Sequence, residues 1–206
     1  MISAVESLAR LRDGNARFVA GRPVAGSAAL ARAGLVDGQE PFAIILGCSD
    51  SRVPVEMVFD QGFGDLFVIR VAGNIVAPSL LGSIEFAASR FGTRLVVVVG
   101  HTRCGAVTAA LEELQGHPSA ESRNLRSIVD RVRPSLEPLL RSAAADDAER
   151  LMHAAVRANV SASVDQVRQG SGLLQRLIRD DGLLVVGAEY SLETGVVDFF
   201  DGLPSA

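Results

Sequence analysis

Two short stretches of this chain hold side chains of the kind that chemistry uses. In GCSDSRV (47–53) an apolar run ends and Cys48, Asp50 and Arg52 follow at alternate positions. In GHTRCG (100–105) a histidine, His101, stands three residues before Cys104. Cys48, His101 and Cys104 together offer two thiolates and one imidazole, the soft-to-borderline donor set that suits zinc. There is no third cysteine, and the other histidines, His117 and His153, lie in segments without a companion motif. Three protein donors with a fourth position open is the natural count, which is the arrangement of a catalytic zinc.

Plainer readings exist for each piece. A single H-x-x-C is more often a core cysteine beside a capping histidine, and a cysteine after a strand is usually a small buried apolar residue. A surface D-x-R pair contributes under about 1 kcal/mol. A thiol–disulfide switch between Cys48 and Cys104 is a further option, but it has no C-x-x-C motif and explains neither His101 nor Asp50. The metal reading uses all five residues. Thiolates donate more charge than imidazoles, so such a zinc is a weaker Lewis acid, and its hydroxide gains from a carboxylate that orients it. Asp50 can do this, and Arg52 points the same way along an extended segment and keeps the carboxylate ionised.

These residues need strand ends to hold them. The runs FAIIL (42–46), LFVIRVA (66–72), RLVVVV (94–99) and GLLVVGA (182–188) lack clean alternation and read as strands buried on both faces. GVVDFF (195–200), after the turn-like SLETG, reads as a hairpin partner. Helical patterns fill 79–91, 104–115, 123–140 and a long stretch at about 147–180, with loops or helix breaks at 115–123 and 142–149. Strands alternating with helices predict an α/β fold: a mostly parallel central sheet, four parallel strands plus an antiparallel edge strand, flanked by helices. Ligands of such sheets bind beyond the carboxyl ends of the strands, where the winding reverses. Both polar clusters fall there, which predicts one site built from two strand ends.

Residues 2–20 place Ile2, Val5, Leu8, Leu11, Ala16 and Val19 at near-helical spacing, and Gly21, Pro23 and Gly26 break the pattern. This gives an N-terminal helical arm, 1–26, on a single domain, 1–206. With 206 residues, 48% hydrophobic and 21% charged, the chain can bury a sizeable core. A net charge of −4 gives no electrostatic case for nucleic acid or an anionic membrane. No apolar run approaches the roughly 18 residues of a membrane span. The opening MISAVESLARLRDG does not read as a secretory signal, and two cysteines make no disulfide scaffold. The expected location is the cytoplasm.

CSDSRV (48–53) and GHTRCGAV (100–107) resemble the two signature blocks of the beta-class carbonic anhydrases. The similarity continues through LRDGNARFVAG (11–21), DLFVIRVAGNIV (65–76), LGSIEFAA (81–88) and VVGAEYSLETGVV (185–197), and so covers most of the chain. The resemblance implies zinc-dependent, reversible hydration of carbon dioxide to bicarbonate and a proton, with one Zn2+ per subunit on Cys48, His101 and Cys104. It implies that Arg52 holds Asp50 and that Asp50 orients the zinc hydroxide nucleophile. Gln39 matches a glutamine that donates a hydrogen bond to substrate in plant-type members. Gly105 matches a glycine whose N–H holds bicarbonate, and Phe67 and Ala72 match positions lining the carbon dioxide pocket.

The resemblance also implies a homodimer or homotetramer, with the arm wrapping a neighbour and the substrate glutamine crossing the interface. Family members have a closed state in which the dyad carboxylate moves onto zinc. Strongly regulated members resemble one another in a Trp three residues before the first ligand cysteine; Ile45 stands there, while Arg70 and Tyr190 occupy positions implicated in the regulatory pocket. Phe86 replaces a frequent Tyr, RVAGN (70–74) replaces R-N-V-A-N, and CGA replaces C-G-G. Rival readings are a carbon disulfide or carbonyl sulfide hydrolase on the same scaffold and a non-catalytic zinc or redox regulatory module. No residue marks itself as the proton shuttle; His117 and His153 qualify only by titrating near neutrality.

Overall fold

The structure is a computed structural model and describes residues 2–24, 34–117, 122–141 and 147–204. The sheet has five strands: β1 (Ala43–Gly47), β2 (Leu66–Arg70), β3 (Leu95–His101), β4 (Leu184–Tyr190) and β5 (Val197–Asp201). Their order is β2-β1-β3-β4-β5. The first four run parallel, in register through pairs such as Ile45↔Val97 and Val97↔Val186, and β5 is antiparallel on the edge. Every residue of β1 and β3 is buried. That is the expected state of β-branched runs covered by helices on both faces.

The helices are α1 (Ala4–Val19), a single turn α2 (Val55–Val58), α3 (Pro78–Arg90), α4 (Gly105–Leu114), α5 (Arg123–Leu136), α6 (Ala148–Gln169) and α7 (Gly172–Asp180). One sheet face packs Ile45, Val97, Val99 and Val186 against Leu8 and Leu11 of α1 and Val55 and Phe59 around α2. The other packs Ile44, Leu46, Val96 and Val98 against α3, α6 and α7. From β1 the chain passes to β2 on one side and later to β3 on the other. The winding therefore reverses between β1 and β3, and the carboxyl ends of strands at such a point are where ligands of open α/β sheets bind.

Several expectations change in detail. The long helix at 147–180 is two helices, because Gly170 closes α6 and Ser171 caps α7 by accepting the Leu174 N–H. A Cβ at Gly170 would lie 2.5 Å from the Gln166 carbonyl oxygen, which favours glycine at the break. The helix expected at 123–140 ends at Leu136, ahead of Pro138, and a short 3-10 turn follows at Leu139–Arg141. The second strand stops at Arg70, and Ala72–Asn74 forms a 3-10 turn with Gly73 at φ 72°. The short α2 carries too few residues for a periodic signal. Gly26, the end of the arm at 25–26, and the loop portions 118–121 and 142–146 lie outside the described residues.

The arm is in place, and it packs on its own chain. Ser3 and Glu6 form a capping box at its start. Leu8 and Leu11 enter the core, while Ile2, Val5 and Val19 of the same apolar set stay exposed. Gly14 allows close approach, since a Cβ there would stand 1.8 Å from the Phe59 carbonyl oxygen. Asn15 is buried; its amide donates to the Val58 and Gly195 carbonyls, and its oxygen accepts the Val197 N–H at 2.9 Å. Arg17 pairs with the fully buried carboxylate of Asp60 at 2.5 Å. Polar matching of this kind leaves few buried groups unsatisfied, and it ties α1 to the β4–β5 turn.

Candidate metal centre

Cys48 is the first residue after β1, His101 the last of β3, and Cys104 the cap residue of α4. The sheet register sets Gly47 beside Val99, so the two strands deliver their polar ends to one place. The donor atoms of Cys48, His101 and Cys104 all lie within 4.8 Å of one another, and all three residues are buried. The two sulfurs are 4.0 Å apart. Sulfurs at about 2.3 Å from a tetrahedral zinc stand about 3.8 Å apart, whereas a disulfide needs about 2.05 Å.

His101 supplies the clearest test of fit. Its Nδ1 lies 2.9 Å from the carbonyl oxygen of Thr102, which can only accept, so Nδ1 carries the proton and Nε2 a lone pair. The ring is fully buried, and among the described residues Nε2 has no hydrogen-bond partner. A buried lone pair without a donor is costly unless a cation takes it. Soft donors, tight spacing and this orphaned nitrogen fit a zinc ion.

The thiols carry the same message. Hydrogen bonding from Cys104 holds the Cys48 thiol down, to about 4, opposed by burial and helped by the Gly73 and Asp50 amides. The Cys104 thiol is pushed up by that same bond to Cys48 and by burial, against the Ala106 and Val107 amides. Two sulfurs this close share a proton when no cation stands between them. A dication lets both be thiolates.

Asp50 and Arg52 stand beside this cluster. Arg52 Nε and Nη2 donate to the two Asp50 oxygens at 2.9 and 2.7 Å, and the Arg52 backbone N–H adds a third bond at 2.9 Å. The bidentate guanidinium holds the Asp50 carboxyl well below the usual carboxylate range. Arg52 Nη2 also reaches the Arg103 carbonyl at 3.4 Å, linking the two motifs.

The backbone around the donors is clamped from outside both motifs. Arg70 donates to the Cys48 and Asp50 carbonyls at 3.0 and 2.6 Å. Glu193 accepts from the Thr102 hydroxyl and from Arg103 Nε, at 2.9 and 2.7 Å, and Arg103 holds a left-handed φ of 55°. The Glu193 carboxyl is lowered, chiefly by the Thr102 hydroxyl. Sequence reasoning placed Arg70 only through a resemblance and passed over Glu193, because a contact across 90 residues leaves no spacing signal.

The four expected substrate residues are placed differently from one another. Gly105 opens α4, exposed beside Cys104, and a Cβ on it would meet nothing within 4 Å. Ala72 lies in the 3-10 turn next to Gly73. Phe67 sits opposite Ile44 in mid-strand, with its ring 6.2 and 6.0 Å from those of Phe86 and Phe91. Gln39 is exposed ahead of the amino end of β1, and Cys48 follows the carboxyl end. The five strand residues between them span about 16 Å. Of the candidate shuttle histidines, His153 is engaged with the buried Glu189 at 3.2 Å.

Fold and site together define a class: an α/β protein with a cluster of two cysteines and one histidine able to hold a metal at a strand switch point, and an ion-paired carboxylate at its edge. A family model described as "Carbonic anhydrase" matches residues 43–197. The chain is 41% identical over 186 residues to carbonic anhydrase 2 of Mycobacterium tuberculosis (strain H37Rv), covering 90% of this chain and 87% of that protein. It is 40% identical over 189 residues to the carbonic anhydrase of Mycolicibacterium smegmatis, with 91% and 89% covered. Among solved structures, one of two tetrameric beta-carbonic anhydrases from Sordaria macrospora superimposes with a TM-score of 0.71 at 27% identity, covering 85% of this chain and 87% of that one. The Coccomyxa beta-carbonic anhydrase in complex with acetazolamide gives 0.70 at 25% identity, with 82% and 75% covered. The chain belongs to the beta-class carbonic anhydrase family.

Proposed function

We propose that this chain hydrates carbon dioxide reversibly to bicarbonate and a proton, using one zinc ion per subunit held by Cys48, His101 and Cys104. When bound, zinc supplies a Lewis acid that makes a hydroxide-level nucleophile available near neutral pH. The observation that carries the reading is Asp50, ionised and locked onto Arg52 while standing 3.9 Å from His101 Nε2. In that state the carboxylate only accepts, so it takes the hydrogen bond of the nucleophile and aims its lone pair at carbon. The Gly105 N–H, at the free amino end of α4, donates to a bicarbonate oxygen. Ala72 contributes to the apolar wall.

Gln39 and Phe67 stand back from the carboxyl strand ends of their own chain, so they serve a second copy. The exposed Ile2, just ahead of α1, and Val5 and Val19 of α1 give that copy an apolar face. This supports a homodimer, or a tetramer of the kind described for the Sordaria macrospora relatives. Among the described residues no helix is long and apolar enough to cross a membrane. We place the protein in the cytoplasm, where both cysteines stay reduced.

The test is stopped-flow carbon dioxide hydration by the zinc-loaded protein, with and without chelator, for wild type and Asp50→Asn. Hydration abolished by chelator and strongly reduced in Asp50→Asn supports the proposal. A zinc-loaded protein that releases sulfide from carbon disulfide and does not hydrate carbon dioxide overturns it.

A further inference from the structure

The 3-10 turn beneath Cys48 is strained and clamped in a way the reaction chemistry has not used. Gly73 and Asn74 are consecutive left-handed residues, at φ 72° and 44°. For Asn74, which carries a Cβ, that conformation is strained. A Cβ at Gly73 would stand 2.9 Å from the Ala106 side chain in the first turn of α4, so the turn is pressed against the helix that Cys104 caps. Two buried side chains of α6 hold it: Asn159 Nδ2 donates to the Gly73 carbonyl at 2.8 Å and Ser163 Oγ to the Asn74 carbonyl at 3.1 Å. Residues 159 and 163 are four apart, on one helix face, and grip successive carbonyls. In this form the Gly73 N–H points at the Cys48 sulfur, 3.4 Å away.

We infer that Asn159 and Ser163 are positioning residues of the metal centre. By clamping the Gly73–Asn74 turn they aim the Gly73 N–H at the Cys48 thiolate and set how much charge that sulfur gives the metal. The inference rests on the zinc reading and deepens it. A thiolate that accepts a backbone N–H donates less charge, which leaves the metal a stronger Lewis acid. Without the clamp, the turn relaxes toward ordinary φ values and the N–H swings off the sulfur. Their hydrogen bonds go to the Gly73 and Asn74 carbonyls and not to a sulfur or ring nitrogen of the cluster, so their effect passes through Gly73.

The test uses the full chain loaded with cobalt(II) and, separately, with zinc, comparing wild type, Asn159→Ala and Ser163→Ala. Loss of the clamp raises the energy of the sulfur lone pair, so the thiolate-to-cobalt charge-transfer band moves to longer wavelength in Asn159→Ala and less far in Ser163→Ala. The midpoint of the pH–rate profile of the zinc forms moves to higher pH in the same order. A variant that is merely destabilised melts earlier with its band and pH midpoint unmoved, and that result overturns the inference while leaving the zinc reading intact. If Asn159→Ala does not fold, the milder Ser163→Ala decides by the same band. A wild-type chain that takes up neither metal overturns the zinc reading and this inference with it.

Discussion

Asp50 Oδ2 lies 3.9 Å from Nε2 of His101 while both carboxylate oxygens are held by Arg52. In the proposed reading the carboxylate is close enough to act on a group held by Cys48, His101 and Cys104, and its two bonds to Arg52 fix its direction.

Arg52→Ala therefore removes both the restraint and the charge that hold the Asp50 carboxyl below its ordinary range. The Asp50 carboxyl rises toward the ordinary value near about 4, and the acid limb of the kcat/KM profile moves up with it. The associated stability has a definite sign. A depressed carboxyl stabilises the fold above its unfolded pKa, and the contribution is lost as pH falls through the lowered folded value. Arg52→Ala cancels it, so the difference in Tm between the variant and wild type should shrink at acid pH. An Arg52→Ala profile superimposable on wild type would count against this account.

Metal removal should destabilise as well as inactivate. The two sulfurs stand 4.0 Å apart, where two thiolates repel unless a dication lies between them, and among the described residues the buried His101 Nε2 has no hydrogen-bond partner. Chelator treatment should lower Tm, and adding zinc back should restore both Tm and hydration activity. His101→Ala should lose the zinc-dependent rise in Tm. A wild-type Tm indifferent to zinc would sink the prediction.

Subunit mixing tests where Gln39 acts. Gln39→Ala and Cys48→Ser should each be strongly impaired alone. If Gln39 serves the partner, a dimer of one chain of each kind has one intact site, and random reassociation restores about a quarter of wild-type activity. If Gln39 serves its own chain, mixing restores nothing. Activity is read after dissociation and reassociation of equal amounts.

The inner face of α1 should be measurable in stability alone. Leu11→Ala removes a fully buried side chain and should cost about 2–5 kcal/mol in denaturant unfolding. Asn15→Ala leaves the Val197 N–H and two carbonyls unpaired and should cost about 1–3 kcal/mol. If α1 held only to a partner, both variants would lose dimer affinity with no change in the unfolding of the monomer.

The sheet and the candidate donor cluster were legible in the sequence because each leaves a local trace. Apolar runs without alternation announce strands covered on both faces, and Cys48, Asp50, Arg52, His101 and Cys104 lie within two short motifs. The break at Gly170–Ser171 was legible in kind, as a glycine followed by a capping serine, but the apolar period runs through it and masked it. The inward docking of α1 was not legible. It depends on Gly14 meeting the Phe59 carbonyl and on Asn15 reaching Val58, Gly195 and Val197, contacts that span up to 182 residues.

By itself, then, the sequence determined the α/β alternation, the soft donor set and the acid–arginine pair, because residue type and short spacing already encode them. Tertiary structure alone decided that Asp50 faces His101 from the grip of Arg52, and that Glu193 and Arg70 brace the two motifs. It also decided that α6 clamps the turn beneath Cys48, and that Gln39 and Phe67 lie away from their own strand ends. These are relations between segments brought together by strand register and helix packing. A hydrogen bond across 90 residues leaves no periodicity to read; only the folded chain supplies its direction and distance.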